Sequence, residues 1–460
     1  MQETHTMTGQ LNLIQRIRYS IFPGTLQKLK PKDTYRRFFN SLILHFRPRN
    51  VQESTLRFTL TWGLGGMAVV LVCILFATGL MLKFVYQPVP DRAYESIIHL
   101  QNNVLFGQLI RNIHHWSANI LLVGVFLHFL RVFFTGAFHP PRQFNWILGL
   151  AMFLAVLVSN ITGYLLPWDQ LSFWAITICT GMLEYIPLIG YRLQNIIRGG
   201  SDIGPATLSV FFAIHTAVIP ACLLILMPFH FWRIRKAGGL VIPRTVNEAE
   251  GSRDEKVPTI PNLILREVVV AVVLVAVILV ISVSFNAPLD AKANSGLSPN
   301  PTKAPWYFAG AQELLFHFHP LFALFIIPLL MLIALVSIPY FNYQSETAGV
   351  WFASRRGRRL AVLAAAAAIG VTPIAIILDE FVIDFEAWMP GLSAVVHSGI
   401  LPGAFVLTGI IVFYWLVKKK YAATTNESIQ SVFVLLASAF IILTITGIWF
   451  RGAGMALMWP

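Results

Sequence analysis

The sequence has few charged residues, which excludes an ordinary soluble fold. Only 12% of its 460 residues are Asp, Glu, Lys or Arg, whereas 56% are hydrophobic and the mean hydropathy is +0.67. Apolar runs of about 20 residues, enough to cross a bilayer, lie near 58–82, 112–134, 144–166, 207–232, 266–285, 320–341, 360–378, 398–417 and 431–450. The sequence therefore predicts an all-α, polytopic transmembrane bundle of about nine helices.

Acidic residues are the scarcer charge, with 21 Asp and Glu against 34 Lys and Arg, a net charge of +13. Such a charge could indicate a nucleic-acid partner, but its distribution favours a lipid bilayer. If the N-terminus is cytoplasmic and nine helices alternate, most Lys and Arg fall on the cytoplasmic side, as the positive-inside rule requires. We expect a multi-pass protein of the bacterial cytoplasmic membrane and no nucleic-acid partner.

Cysteine is also rare. Cys73, Cys179 and Cys222 form neither a CxxC nor a CxxCH pattern. This spacing argues against a disulfide framework, a zinc site and an attached c-type haem. The three thiols are interpreted as small apolar packing residues.

A polar stretch near 233–265 separates four predicted helices from five. Two long connections, 167–206 and 286–319, interrupt the helices, and connections of this length are usually functional. The predicted organisation is a basic cytoplasmic segment at 1–57, a four-helix module at 58–245, a second module at 246–341 and additional transmembrane helices at 342–460.

Four histidines repeat with nearly equal spacing on two helices. His114 and His128 are 14 residues apart on the second helix, and His215 and His230 are 15 apart on the fourth. Each pair shares one helix face, about 21 Å apart along the axis. Because both helices cross in the same direction, His114 is level with His215 and His128 with His230. A single intramembrane histidine is as often a helix contact or proton relay, but four in this pattern predict two bis-histidine haems that transfer electrons.

Glycines repeat the same period on the first and third helices: Gly65 with Gly79, and Gly149 with Gly163. A single glycine in a membrane helix is more often a packing residue. Two pairs that share the histidine spacing favour a common cause, namely room for flat rings close to the backbone. The four helices together predict a di-haem core.

Two arginines lie three residues from a histidine, Arg111 before His114 and Arg131 after His128. Each could hold a haem propionate. Each could equally be a basic residue that extends to the membrane interface. The sequence leaves both alternatives open.

Several segments resemble the cytochrome b family of bc and b6f complexes: RNIHHWSANI (111–120), FLHFLR (126–131), TGYLLPWDQ (162–170), IPLIG (186–190) and AIHTAVIP (213–220). The 15-residue spacing on the fourth helix is similar to the b6f branch. The resemblance is strong over 58–245 and extends through 258–341, the portion that is a separate chain in that branch. Helices after 360 match only loosely.

This resemblance implies a quinol-oxidising site on the outer side, between surface helices at 167–198 and the 305–319 segment. One electron would pass to a Rieske iron–sulfur protein. The other would pass through the His114/His215 haem and the His128/His230 haem to an inner quinone, with protons released outside. The family also implies c-type cytochrome subunits, a homodimeric complex and a quinol substrate, for which menaquinol is compatible.

The chain departs from the family at the outer motif. Pro-Glu-Trp-Tyr is here Ala304-Pro305-Trp306-Tyr307, so Pro305 stands where the proton-accepting acid is expected, beside Trp306 and Tyr307. Glu313 could replace that acid if 305–320 is helical, since eight residues rotate by about 80°, and burial is expected to raise its pKa. A surface acid at headgroup level is the alternative for Glu313.

Asp169 is the second candidate acid, with a helix N-cap as the alternative. A further departure is Gly63, which occupies the position of the cysteine that binds an extra covalent haem in b6f complexes, ahead of Leu64-Gly65-Gly66. No covalent c-type haem is therefore expected. Two other classes remain open: the haem b membrane anchor of a dehydrogenase or hydrogenase, and a non-redox transporter.

Overall fold

The computed structural model describes residues 12–21, 50–243, 255–343 and 348–459. Within these ranges nine helices are long and apolar enough to cross a membrane, which confirms the predicted fold class. In chain order, the first to ninth spans are Leu64–Lys83, Gly107–Phe134, Gln143–Leu165, Pro205–Lys236, Thr259–Ser284, Phe322–Tyr340, Arg355–Phe381, Val396–Lys420 and Thr425–Phe450.

Shorter elements lie between and beside the spans. The helices are Leu13–Ile21, Phe58–Thr61, Pro90–Asn103, Gln170–Gly181, Gly190–Arg198, Ala309–His317 and Phe385–Trp388. Asn50–Gln52 and Lys256–Pro258 form a small antiparallel sheet. The described backbone is thus mainly helical, and a helix satisfies its own polar groups where water cannot.

An apolar cluster fills the middle of the bundle. Leu71, Leu121 and Val156 are buried there and pack with Ile278 of the fifth span. The first three lie close to the midpoints of the 14-residue intervals on the first, second and third spans. The cluster therefore separates the two levels at which the histidines lie.

The 286–308 loop is tied to one end of this bundle. Gln170 N donates to Ala291 O at 2.8 Å, and Ala293 N donates to Trp168 O at 3.1 Å. We call this end the loop end, and the other the opposite end. At the opposite end, Phe133 and Trp146 pack in one cluster with Ile338 of the sixth span, so the later helices are docked on the first four.

Three features differ from the sequence expectations or lie outside the described residues. Pro90–Asn103 is a helix that a search for continuous apolar runs does not detect, because it is amphipathic and buries only one face. The condition that 305–320 is helical is met only in part: the helix spans Ala309–His317, and Phe308 N donates to Pro305 O at 2.8 Å in the preceding turn. Most of the 1–57 segment, and 244–254 of the linker, lie outside the described ranges.

Candidate functional site

The four histidines lie at two levels, one near each end of the bundle. The ring centroids of His114 and His215 are 6.2 Å apart, with the ring planes at 70°. At the opposite end, His128 and His230 are close enough to interact electrostatically. Within the described residues no group of three or more His, Cys, Asp or Glu is placed to hold a metal ion. Two imidazoles per level suit a haem, whose porphyrin supplies the other four ligands of iron.

Each of the four glycines lies against one of these imidazoles. A Cβ atom added to the glycine would meet the histidine Cε1 at 2.5 Å for Gly163 and His215, 3.2 Å for Gly79 and His114, 3.5 Å for Gly65 and His128, and 3.8 Å for Gly149 and His230. The first two distances are too short for a side chain unless the imidazole moves. The repeated glycines therefore make the space that the histidine rings occupy.

A wide turn in the fourth span accounts for its 15-residue spacing. Residues Ile214–Val218 form a single π-helical turn, closed by a bond from Ile219 N to Ile214 O, with Pro220 after it. Such a turn takes in one extra residue and often marks a functional site. The extra residue thus lets His215 and His230 lie on one face of the fourth span, as the 14-residue spacing does for His114 and His128 on the second span.

Hydrogen bonds at the loop end fix which ring nitrogen of each histidine is protonated. Thr78 Oγ1 lies 2.9 Å from His114 Nδ1 and donates its own proton to Ile74 O at 2.7 Å. His215 Nδ1 lies 3.0 Å from Ser159 O, which can only accept. Both Nδ1 atoms therefore act as donors, which leaves each Nε2 lone pair available for iron.

These threonines were not among the site residues predicted from the sequence, although a signal for them is present. Thr78-Gly79 and Thr162-Gly163 form the same dipeptide on the first and third spans. Thr162 Oγ1 lies 3.5 Å from His215 Nδ1, a longer contact than that of Thr78. A threonine beside each loop-end glycine therefore distinguishes this level from the opposite one, where leucine precedes each glycine.

The two arginines have different surroundings. Arg131 is 5% exposed, and its Nε donates to Leu60 O at 2.7 Å, while its buried Nη2 has no partner among the described residues. Buried donors are normally paired, so this atom fits an anionic group such as a propionate. Arg111 instead donates to Ala287 O at 2.8 Å and Pro288 O at 2.7 Å, and so anchors the loop, a role that differs from both alternatives predicted from the sequence.

The Pro305–Tyr307 segment lies against the second span at the loop end. Trp306 Nε1 donates to Asn119 Oδ1 at 2.7 Å, and Asn119 is five residues after His114. Tyr307 packs against the central apolar cluster. Burial raises the pKa of the Tyr307 hydroxyl, and the nearby Tyr164 raises it further. The segment thus places an aromatic pair and a neutral phenol close to the level of His114 and His215.

Asp169 caps the surface helix Gln170–Gly181. Its Oδ1 accepts from Ser172 N at 2.9 Å, and its Oδ2 accepts from Asp290 N at 3.2 Å. Both carboxylate oxygens are therefore used by backbone donors. This geometry favours the N-cap alternative over a role in proton transfer.

A substitution at Asp169 tests this interpretation. Asp169→Ala should lower the stability of the chain by about 1 kcal/mol or more, seen as a lower thermal unfolding temperature in detergent. Asp169→Asn keeps an oxygen for Ser172 N and should lose less stability. If Asp169→Ala left the unfolding temperature unchanged while Asp169→Asn slowed electron transfer, the capping interpretation would be wrong.

Glu313 is fully buried and paired. Its Oε1 accepts from Arg451 Nη2 at 2.7 Å, its Oε2 accepts from Arg451 Nε at 3.0 Å, and His317 Nε2 lies 3.2 Å from Oε1. The expected rise in its pKa is wrong. Burial raises the pKa of Glu313, but hydrogen bonds and charges from His317 and Arg451 outweigh burial and lower it. Nor is it a surface acid, since its exposed fraction is 0%.

Comparisons with known proteins identify the family of this chain. The family model described as Cytochrome b/b6/petB matches residues 51–238. Cytochrome b6 of Desmonostoc sp. (strain PCC 7906) is 41% identical over 175 residues, which are 38% of this chain and 81% of that protein. Cytochrome b6 of Mastigocladus laminosus is 42% identical over the same shares. The chain belongs to the cytochrome b/b6 family. It is a multi-pass membrane cytochrome b, and the cofactor that this family implies is haem b.

A solved structure extends the likeness in fold to the later helices. A chain of a structure titled "Hyperthermophilic respiratory Complex III" matches with a TM-score of 0.62 over 92% of this chain and 98% of that one. The two sequences are 22% identical, so this match concerns the fold alone. The helices beyond residue 238 thus belong to a fold that this chain shares with that one.

Proposed function

We propose that this cytochrome b is the di-haem subunit of a bc-type quinol oxidase complex. The observation that carries the proposal is the set of four glycine–histidine contacts, two at each level of one four-helix bundle. A transporter has no need of two such levels. A haem b membrane anchor of a dehydrogenase or hydrogenase needs only one quinone site and no aromatic loop beside the outer level.

His114 and His215 would hold one haem b and His128 and His230 the other, each through Nε2. A bis-histidine haem supplies reversible transfer of single electrons and has no open position for oxygen. Thr78 and Ser159 orient the loop-end imidazoles. Arg131 would bind a propionate at the opposite end. The apolar residues around Leu71 keep water from the space between the levels.

The loop end would be the outer side and the site of quinol oxidation. The predominance of Lys and Arg in the connections at the opposite end supports this orientation, which places the N-terminus in the cytoplasm. Pro305, Trp306 and Tyr307 would line the quinol site with the surface helix Gln170–Gly181. Trp306 is positioned by Asn119, and Tyr307 stays neutral and can donate a hydrogen bond to a quinone oxygen.

Glu313 would serve in place of the acid that Pro305 replaces. It lies on the helix Ala309–His317, which follows the aromatic pair in the sequence. Its lowered pKa keeps it ionised, and the ionised form is the one that can accept a proton. One electron would leave for a Rieske iron–sulfur protein and a c-type cytochrome subunit. The other would cross the membrane through the two haems to an inner quinone site. The assembly would be a homodimeric complex in the bacterial cytoplasmic membrane, with menaquinol as a compatible substrate.

A haem count with a redox titration tests this proposal. The purified chain should yield two b-type haems in a pyridine haemochrome assay, with two separate midpoint potentials. The complete complex should reduce a c-type cytochrome with a soluble quinol. A single haem per chain would favour the membrane-anchor alternative, and no haem would favour a transporter.

A further inference from the structure

Five ionisable side chains form one cluster at the loop end, and the roles assigned above use only one of them. Glu313 and His317 lie on the helix Ala309–His317, Asp379 and Glu380 at the end of the seventh span, and Arg451 just after the ninth. His317 bridges two carboxylates: Nε2 lies 3.2 Å from Glu313 Oε1, and Nδ1 lies 2.6 Å from Asp379 Oδ2. The cluster is therefore a continuous chain of hydrogen bonds.

This series of hydrogen bonds runs from the protein interior toward the surface. The side chain of Glu313 is 0% exposed and that of His317 is 8% exposed, whereas that of Asp379 is 33% exposed. Buried ionisable groups at membrane helix ends are costly to maintain and often mark proton pathways. The order of exposure gives this pathway a direction, from Glu313 outward.

We propose that Glu313, His317 and Asp379 form the exit pathway by which protons from quinol oxidation reach the outer aqueous side. The inference rests on the proposed function, because the protons come from a quinol hydroxyl near Trp306 and Tyr307. It assigns His317 and Asp379 a role in proton transfer. It also gives the helices beyond residue 342 a function, since Asp379 belongs to them.

The geometry permits a balanced transfer of one proton. Protonated His317 donates its Nδ1 proton to Asp379, which releases it to water. The neutral imidazole keeps its other proton on Nε2. The ring then turns over, so that its unprotonated nitrogen faces Glu313 and accepts the proton that Glu313 has taken from the quinol. Glu313 returns to its carboxylate form and His317 to its protonated form, so one proton has left and no group has changed its final charge.

The pKa shifts favour one step of this pathway, the transfer from Glu313 to His317. Burial lowers the pKa of His317, but hydrogen bonds and charges from Asp379 and Glu313 outweigh it and raise this pKa to about 9. The pKa of Glu313 is lowered, so a proton on Glu313 moves readily to the imidazole. Above a pH of about 9 His317 loses its charge, and the ion pairs that it makes in the folded chain weaken.

Arg451 and Glu380 have a different role. Arg451 binds Glu313 through Nε and Nη2 and binds Glu380 through Nη1 at 3.0 Å. Its guanidinium also lies 4.7 Å from the ring centroid of Phe316. Arginine does not release its proton in proteins, so Arg451 is a positioning residue that holds Glu313. Among the described residues, the Glu380 carboxylate accepts hydrogen bonds from this arginine alone, so we do not place it on the pathway.

Adjacent carboxylates therefore give a matched pair of variants. The complete complex is reconstituted in vesicles, and quinol is mixed with an oxidised c-type cytochrome while a pH indicator reports protons outside. His317→Gln and Asp379→Asn should slow proton release and the accompanying haem reduction by roughly tenfold or more, the scale of positioned proton transfer. Glu380→Gln, which removes a neighbouring charge from the same cluster, should remain close to the wild-type rate.

The outcomes separate the possible explanations. Wild-type rates in both His317→Gln and Asp379→Asn would overturn the pathway. Equal slowing in Asp379→Asn and Glu380→Gln would also overturn it, because the cluster would then be an ionic brace only. The comparison requires that each variant keep two haems with unchanged potentials. Asp379 is more exposed than His317, so its substitution should disturb the fold less. Failure of wild-type complex to oxidise quinol would instead contradict the proposed function.

Discussion

Replacing His128 with leucine is expected to leave the chain with one haem instead of two. His128 lies with His230 at the end of the bundle opposite the loop, and a leucine cannot ligate iron. His114 and His215 are on the same spans but at the other level, separated by the apolar cluster around Leu121. Their haem should therefore remain. A pyridine haemochrome assay gives the haem count, and a redox titration should show a single midpoint potential.

His115→Leu is the matched control for this variant. His115 is also a histidine of the second span, but its ring packs on Trp116 and Nε2 lies 3.3 Å from Asn119 Nδ2, away from the paired imidazoles. Two haems should be retained. If His128→Leu kept two haems, or His115→Leu lost one, the assignment of ligands to levels would be wrong. Electron transfer to the inner quinone should stop in His128→Leu alone.

The spans and the histidine pairs could be predicted from the sequence because both follow from local rules. A continuous apolar run of about 20 residues is sufficient to specify a transmembrane helix. A 14-residue interval places two side chains on one helix face regardless of what the helix contacts. The π-turn at Ile214–Val218 explains why a 15-residue interval also places two side chains on one helix face, although periodicity alone does not predict that turn.

The surroundings of Glu313 could not be predicted in this way. Its main partner, Arg451, is 138 residues away in sequence. His317 is only one helical turn away, but the charge that it carries depends on Asp379 in another span. Burial alone predicts a raised pKa for a carboxyl group, whereas hydrogen bonds and charges from His317 and the distant Arg451 reverse the direction. Such long-range pairing has no local sequence signal.

Replacing Gly163 with alanine is expected to remove or displace the haem at the loop end. The added methyl group would lie 2.5 Å from His215 Cε1 and 3.0 Å from its Nδ1, closer than such atoms can approach. The imidazole would have to move, and it would then lose its bond to Ser159 O and its alignment with His114. We expect haem loss or a shifted midpoint potential, measured by haem count and redox titration.

The other glycines make this a graded test. The distance available for a methyl group increases from Gly79 to Gly65 to Gly149, at 3.2, 3.5 and 3.8 Å, so the alanine variants should have progressively smaller effects. Gly66→Ala is the control, because a Cβ atom there meets nothing within 4 Å. The order of the effects is the decisive result. If these glycines served only in helix packing, the effects of the alanine variants would be independent of these distances. A Gly163→Ala chain with two haems and unchanged potentials would contradict the view that the glycines exist to admit the ligand rings.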